Sequence, residues 1–188
     1  MHLPRGKRYA STLAHSPGFS KIENLEYNTK LLTLYLQENL IETIEGLDSL
    51  QNLRQLNLSD NLIKRVEGLG ELKMLDTLLL KRNRIGKEGD VDDIRGLLDC
   101  PTLSCVDISD NYVESANALE EVFVRMPRLG VLYFTNNPAI KKTRNYKKTY
   151  IAQIPTLKYL DDRPVFEEDR RYAEAFARGG MDEERKER

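Results

Sequence analysis

The stretch LLTLYLQENLIETIEGLDSLQNLRQLNLSDNLIKRVEGLGELKMLDTLLLKRN, residues 31–83, decides the fold because the pattern LxxLxLxxN occurs in it three times at a spacing of 22 residues. Two further copies follow, in which valine, isoleucine or phenylalanine replaces some of the leucines. The five copies span 31–39, 53–61, 75–83, 103–111 and 129–137. Such a period is typical of a solenoid, in which each repeat forms one coil and buries its apolar side chains against neighbouring coils.

The middle of each copy predicts a short β-strand. In the first copy Leu34 and Leu36 face one side of a strand while Tyr35 and Gln37 face the other, because successive side chains alternate. We therefore expect an α/β fold: a right-handed solenoid with a parallel β-sheet on its concave face, turns and helices on its convex face, and a capping helix at its C-terminal end.

The last position of every copy is an asparagine. The chain must turn there, and a turn leaves backbone N–H and C=O groups without strand partners. An asparagine amide both donates and accepts hydrogen bonds, so it can satisfy these groups. Stacked from coil to coil, the asparagines should form a structural ladder. They are Asn39, Asn61, Asn83, Asn111 and Asn137.

The convex side should change along the chain from short turns to helices. Val91, Ile94 and Leu97 have helical spacing, and the neighbouring Asp92 and Asp93 should lie on the exterior of that helix. The segment 115–126 predicts a fuller helix, which Pro127 ends.

Three segments make up the predicted domain organisation. Residues 1–17 form an N-terminal segment, poorly ordered or a partial cap. Residues 18–164 form the repeat domain with its end caps. Residues 165–188 form a C-terminal capping helix, ending at the glycine pair 179–180, and a charged tail whose residues 182–188 are the start of a solvated helix or disordered.

Composition bears on several classes of function. The net charge of −1 argues against a general electrostatic grip on nucleic acid or an anionic membrane. Cys100 and Cys105, the only cysteines, make neither a disulfide framework nor a zinc motif. No catalytic triad pattern, Walker loop or HExxH motif occurs. The sequence has no signal-peptide core or membrane-spanning run. We therefore expect a cytoplasmic monomer that is not an enzyme, has no cofactor and takes no small-molecule substrate.

The outward-facing strand positions are the candidate binding site, because solenoids usually bind partners on the concave face. Large or charged side chains there suit protein contacts. The candidate residues are Tyr35, Gln37, Asn57, Leu79, Lys81, Arg82, Asp107 and Tyr133. The same spacing places Asp161 at the end of this outward row. The basic run 141–148 is interpreted as a solvated or acidic-protein-facing helix rather than a nucleic-acid site.

Segments at both ends of the array carry a family resemblance. GFSKIENLE (18–26), IPTLKYLDDRPV (154–165) and AEAFARGG (173–180) resemble the leucine-rich-repeat dynein axonemal assembly factor family. The resemblance implies a cytoplasmic scaffold or adaptor for assembling dynein arms before they enter cilia or flagella. It also implies partners among dynein chains, chaperones or other assembly factors. Members of that family usually continue well beyond the present C-terminus.

Other families share parts of the pattern. The 22-residue repeat is similar to that of a phosphatase regulatory subunit, although such a protein should have more repeats and lack the C-terminal signature. The closing segment, with its NP and basic run, is similar to that of the spliceosomal A-prime protein, a ribonucleoprotein scaffold. A dynein light chain with the same repeat is a further alternative.

Overall fold

Short strands, each beside the one before it in the chain, build one sheet in the computed structural model, which describes residues 18–87 and 89–188 in full and 11–13 by their backbone. The strands are β1 (Ser11–Leu13), β2 (Thr33–Tyr35), β3 (Gln55–Asn57), β4 (Thr77–Leu79), β5 (Cys105–Asp107), β6 (Val131–Tyr133), β7 (Tyr159–Leu160) and β8 (Arg163–Pro164). Strands β1 to β7 are parallel, and β8 returns antiparallel to β7 as a hairpin. Apart from β1, the predicted N-terminal segment 1–17 lies outside the described residues.

The register of the sheet follows the sequence repeat. The middle residues of β2 to β6 pair in one line and are fully buried, while the residues on either side of them are half-buried and face outward. The buried line consists of Leu34, Leu56, Leu78, Val106 and Leu132. The alternation read from the sequence is therefore confirmed, and with it the parallel sheet of a solenoid.

One continuous apolar core runs beneath the sheet from Ile22 to Leu160. The leucines of the repeats and the isoleucines and valines after each asparagine all contribute to it. Burying a side chain of this size contributes about 1.5–3 kcal/mol relative to leaving it exposed. The coils are thus held together mainly by stacking of apolar side chains.

Within residues 18–87 and 89–188, helices begin only at Asp92. They are α1 (Asp92–Arg95), α2 (Ala118–Glu121), α3 (Ala139–Lys142), α4 (Tyr146–Gln153) and α5 (Glu167–Glu187), with 3₁₀ turns at Gly96–Asp99 and Phe123–Arg125. The predicted helix over 115–126 is shorter than expected because Val122 leaves helical geometry (φ −125°, ψ −69°). Its core-facing residues remain buried. The placement of Asp93 on an exterior is wrong, since Asp93 is buried and bonds Arg65 at 3.0 Å.

The C-terminal helix packs against α4, as the predicted capping helix should. Arg170 donates to the carbonyl oxygens of Ile151, Ile154 and Leu157 at 2.7, 3.3 and 2.6 Å. These carbonyls come at and after the end of α4, where helical partners run out. The buried Ala173 allows α5 to approach closely. The guanidinium group of Arg170 in the capping helix thus supplies hydrogen-bond donors to the carbonyl oxygens at the end of the last coil.

Helix α5 is broken at the predicted glycine pair. Gly180 has φ 72° and ψ −152°, a conformation that residues with a Cβ avoid. Beyond it, the charged tail is helical, the first of its two expected states, but it turns back and is not fully solvated. Glu184 is buried and bonds Lys148 and Arg188. No helix among the described residues is long and apolar enough to cross a membrane.

Candidate protein-binding face

The concave face consists of the outward-facing side chains of β2 to β7 and of the residues directly after each strand. Its first row contains Thr33, Gln55, Thr77, Cys105, Val131 and Tyr159, and its second contains Tyr35, Asn57, Leu79, Asp107 and Tyr133. The predicted site residues of the strands lie together in the second row. The first row was missed by the sequence analysis, although it lies two residues before the second and the same alternation points it outward.

Buried asparagines fix the edge of this face. The amide nitrogen of Asn61 donates to Leu58 O at 3.0 Å in its own coil and to Leu36 O at 2.9 Å in the preceding coil. Its Oδ1 accepts from Ile41 N at 3.0 Å, also in the preceding coil. Each of the four asparagines Asn61, Asn83, Asn111 and Asn137 makes both contacts with the coil before it. Every such bond holds one strand end to its neighbour.

The residue before each asparagine takes a left-handed backbone conformation. This row is Glu38, Asp60, Arg82, Asp110 and Asn136, with φ between 53° and 60°. Its side chains bond across coils: Arg82 to Asp60 at 3.0 Å, and Asn136 to Asp110 at 2.6 Å. Lys81, one of the predicted site residues, lies 3.6 Å from Asp110. Most charges at this edge are therefore neutralised within the protein.

The C-terminal end of the face is aromatic. The rings of Tyr133 and Tyr159 lie 5.8 Å apart at an angle of 48°. Burial, with smaller contributions from Tyr159, Cys105 and Asp107, raises the pKa of Tyr133 above its ordinary value, so its hydroxyl stays neutral. At the other end, Tyr35 stands on β2 beside the half-buried Gln37. The face thus offers aromatic groups at both ends and a mixed centre.

Asp161 does not lie on this face, contrary to the sequence-based expectation. It is buried, and its Oδ1 accepts from Phe134 N at 2.9 Å, much as the asparagines accept from the preceding coil. The reason is the tight turn between β7 and β8, which rotates Asp161 (φ 53°) inward. Burial raises the pKa of Asp161, and the hydrogen bond from the Phe134 N–H offsets part of that shift. The other carboxylate oxygen of Asp161 and the Tyr146 hydroxyl are both buried without a hydrogen-bond partner among the described residues.

Reactive groups are not gathered on the described surface. Among residues 18–87 and 89–188, no three histidine, cysteine or acidic side chains are placed to hold a metal ion. Burial raises the pKa of the Cys100 thiol to about 11, and the pKa of Cys105 is raised for the same reason. Neither thiol is therefore an activated nucleophile at neutral pH.

Comparison with known proteins agrees with this architecture. A family model described as "Leucine-rich repeat" matches residues 29–187. The chain belongs to the leucine-rich repeat family. Among solved structures, this repeat protein is similar to a chain of the Drosophila melanogaster SNF/U2A′ complex, with 29% identity and a TM-score of 0.65 over 80% of this chain and 84% of that one. Listeria monocytogenes internalin C2, 22% identical with a TM-score of 0.57 over 77% of this chain and 57% of that one, shares the fold.

Three curated relatives match about half of the leucine-rich repeat chain. The leucine-rich repeat-containing protein ODA7 of Chlamydomonas reinhardtii is 36% identical over 95 residues. Dynein axonemal assembly factor 1 of Homo sapiens is 44% identical over 96 residues, and its homolog in Aedes aegypti is 45% identical over 96. The matches cover 50%, 51% and 51% of this chain but 22%, 13% and 9% of those proteins, so the chain spans a small part of their length.

Proposed function

We propose that this chain is a protein-binding scaffold, without catalytic activity, that acts in the cytoplasmic assembly of axonemal dynein for cilia and flagella. The identity of 44–45% to proteins named dynein axonemal assembly factor 1 carries the proposal. Its partners are dynein chains, chaperones or other assembly factors, bound by the monomer.

The concave face is the proposed docking surface. Its strands are held rigidly by the core and the asparagines, so little conformational entropy is lost when a partner binds. Tyrosine and arginine, the residue types enriched at binding hot spots, are present as Tyr35, Tyr133 and Arg82. A solenoid needs no closed pocket to bind protein, because its open sheet offers an extended surface.

A pull-down from the cytosol of ciliated cells tests this function. The tagged chain should recover axonemal dynein chains or their chaperones, identified by mass spectrometry. A face variant, in which Tyr35, Leu79, Lys81 and Tyr133 are all changed to alanine, should recover at least about tenfold less, since two hot-spot truncations at more than about 1 kcal/mol each already exceed the roughly 1.4 kcal/mol of a tenfold change. Circular dichroism and the thermal midpoint show whether the variant is folded.

An edge variant provides the matched control. Leu40, Met74 and Tyr112 are exposed apolar residues outside the strands, with exposed fractions of 50%, 46% and 48%. Changing all three to alanine removes a comparable amount of surface but should leave recovery unchanged. If the folded face variant recovers as much as the wild type, the concave face is the wrong surface. Recovery of phosphatases instead of dynein components would overturn the function itself.

The likeness to a chain of the SNF/U2A′ complex favours a second candidate, a subunit that scaffolds a nuclear ribonucleoprotein. That likeness extends over 80% of this chain, more than any curated relative reported above. The same pull-down separates the two candidates: spliceosomal proteins in place of dynein components would favour the second. A partner bound in either case should be lost with the face variant.

A further inference from the structure

One carboxylate on the strands of the concave face has no cationic partner among the described residues. Asp107 ends strand β5, and its direct neighbours in the register are Leu79 on β4 and Tyr133 on β6. It is the only charged residue among the outward-facing strand positions of β2 to β7. Neighbouring strands lie about 4.8 Å apart, so Asp107 is within contact range of both flanking side chains.

The protein orients this carboxylate without neutralising it. Asp107 Oδ1 accepts from the backbone N–H of Ser109 at 3.0 Å and from its hydroxyl at 2.6 Å. The nearby Asp60 and Asp110 have cationic partners in Arg82 and Lys81. By contrast, no lysine or arginine of the described part of the chain forms an ion pair with Asp107.

The surroundings of Asp107 are apolar and aromatic. Val131 and Cys105 occupy the first row beside it, and the tilted pair Tyr133 and Tyr159 closes the C-terminal side. A partner that covers this patch removes water from the carboxylate. Desolvation of an uncompensated charge opposes binding, whereas a partner cation reverses that effect and adds specificity.

We propose that the concave face receives a partner segment that presents a positively charged side chain, best an arginine, to Asp107 between Leu79 and the Tyr133–Tyr159 pair. The inference rests on the proposed function and names the chemistry of its docking site. Because Ser109 engages Oδ1, the other carboxylate oxygen is left for the partner. A guanidinium donates to such an oxygen through a planar fork and stacks on aromatic rings, which an ammonium does less well.

Selection from a displayed peptide library tests the inference. Each peptide carries one randomised central position between apolar residues, and the baits are the wild-type chain, Asp107→Asn and Asp107→Lys. For each bait, peptides are sequenced only if they bind that bait and fail to bind the same bait carrying the four alanine substitutions of the face variant. Arginine should be enriched at the central position on the wild type, and glutamate or aspartate on Asp107→Lys.

Binding measurements on individual peptides then give the contribution of Asp107 to affinity. Binding of an arginine peptide should fall by about tenfold to a hundredfold on Asp107→Asn, the usual effect of losing a hydrogen bond between charged groups. Asp107→Asn keeps an oxygen for the Ser109 bonds, so the thermal midpoint should be unchanged. The control Asp110→Asn alters an acid that already has a partner and should change binding less than about twofold.

The outcomes separate the two proposals. If face-dependent peptides are selected but the wild type and Asp107→Asn choose the same central residues, the docking face stands and the cationic partner is wrong. A wild-type preference for acidic or neutral residues leads to the same conclusion. If every peptide binds equally well with and without the four substitutions of the face variant, the docking face itself is wrong.

Discussion

The coils around β2 to β4 and the closing end from β6 to α5 surround one core by different means. In the first region, 22-residue repeats use short turns, aliphatic side chains and asparagines that bond the coil before them. In the second, Phe134 packs against Phe123, Tyr146 and Tyr150, and helices cover the core. A regular coil is completed by the next coil, whereas the last coil needs a cap of different chemistry.

The polar groups show the same difference. Within the array an asparagine amide serves the strand edge, but at the closing end Asp161 takes a similar place and faces the Tyr146 hydroxyl. Burial and the neighbouring Asp161 raise the pKa of Tyr146, so this hydroxyl stays protonated and can donate. An acid is thus tolerated at this place, where one carboxylate oxygen accepts from the backbone N–H of Phe134.

Leu58→Ala should have the largest effect, because Leu58 is fully buried in the regular region. The cavity and lost burial should lower the free energy of unfolding by about 2–5 kcal/mol. Urea denaturation followed by circular dichroism measures the change. Met74→Ala, with Met74 46% exposed, is the control and should stay within about 0.5 kcal/mol. A small effect of Leu58→Ala would show that the coils are not closely packed.

Asn61→Asp should have the second-largest effect and lower the free energy of unfolding by about 3 kcal/mol. The reason is that a charged acceptor then faces carbonyl oxygens that have lost their donor. The amide nitrogen of Asn61 now donates to Leu36 O, Leu58 O and Ser59 O at 2.9–3.1 Å. Denaturation at neutral pH measures the loss. Asn52→Asp, at an exposed asparagine, is the matched control. Equal effects of the two substitutions would refute the structural role of the buried amides.

Gly68→Ala should destabilise by about 2 kcal/mol, since a non-glycine residue in a strained conformation costs about 1–3 kcal/mol. Gly68 has φ +66°, and a Cβ there would lie 2.2 Å from Ile44 O in the preceding coil. Gly70 is an adjacent control, because a Cβ at Gly70 meets nothing within 4 Å. The two thermal midpoints should differ by several degrees, and equal midpoints would contradict close contact between the turns.

Asp161→Asn should have the smallest effect and the opposite sign, a gain of about 1 kcal/mol or less at neutral pH. The pKa of Asp161 is raised in the folded state, so the contribution of this group to stability is full below its ordinary value of 3.8 and is lost as pH rises through the folded value. The stability gained by Asp161→Asn should therefore grow as pH rises through the acid range. Denaturation at several pH values tests this, and a gain that shrinks with rising pH would refute it.

The sequence predicted the repeated part of the fold well because each coil meets the same environment. Leu34, Leu56 and Leu78 need only their spacing to be placed, and the asparagines follow from the turn that each copy makes. The ends are less predictable, because their partners are not periodic. Nothing local marks Glu184 as buried, since Lys148, 36 residues earlier, provides its ion pair.

The binding face was predictable in position but not in detail. Alternation places Tyr133 and Asp107 outward, whereas the inward rotation of Asp161 depends on the β7–β8 turn and on the backbone N–H of Phe134 in the preceding coil. The same holds for Asp93, which spacing alone places on a helix exterior and which Arg65 from the preceding coil holds inside. Contacts between different coils decide these side chains, and a local pattern does not contain them.

Because Asn61 and Asn83 make the same bonds to the coil behind them, a whole coil is an interchangeable module. Removing residues 53–74 would bring Asn83 to Leu36 O and Ile41 N, the groups that Asn61 now serves. The length of the array can therefore drift by duplication or loss of entire periods without new bonding geometry. Additional residues within a coil have to be taken up on the convex side, as in the longer coils that lead to Asn111 and Asn137, where the asparagines keep the same bonds.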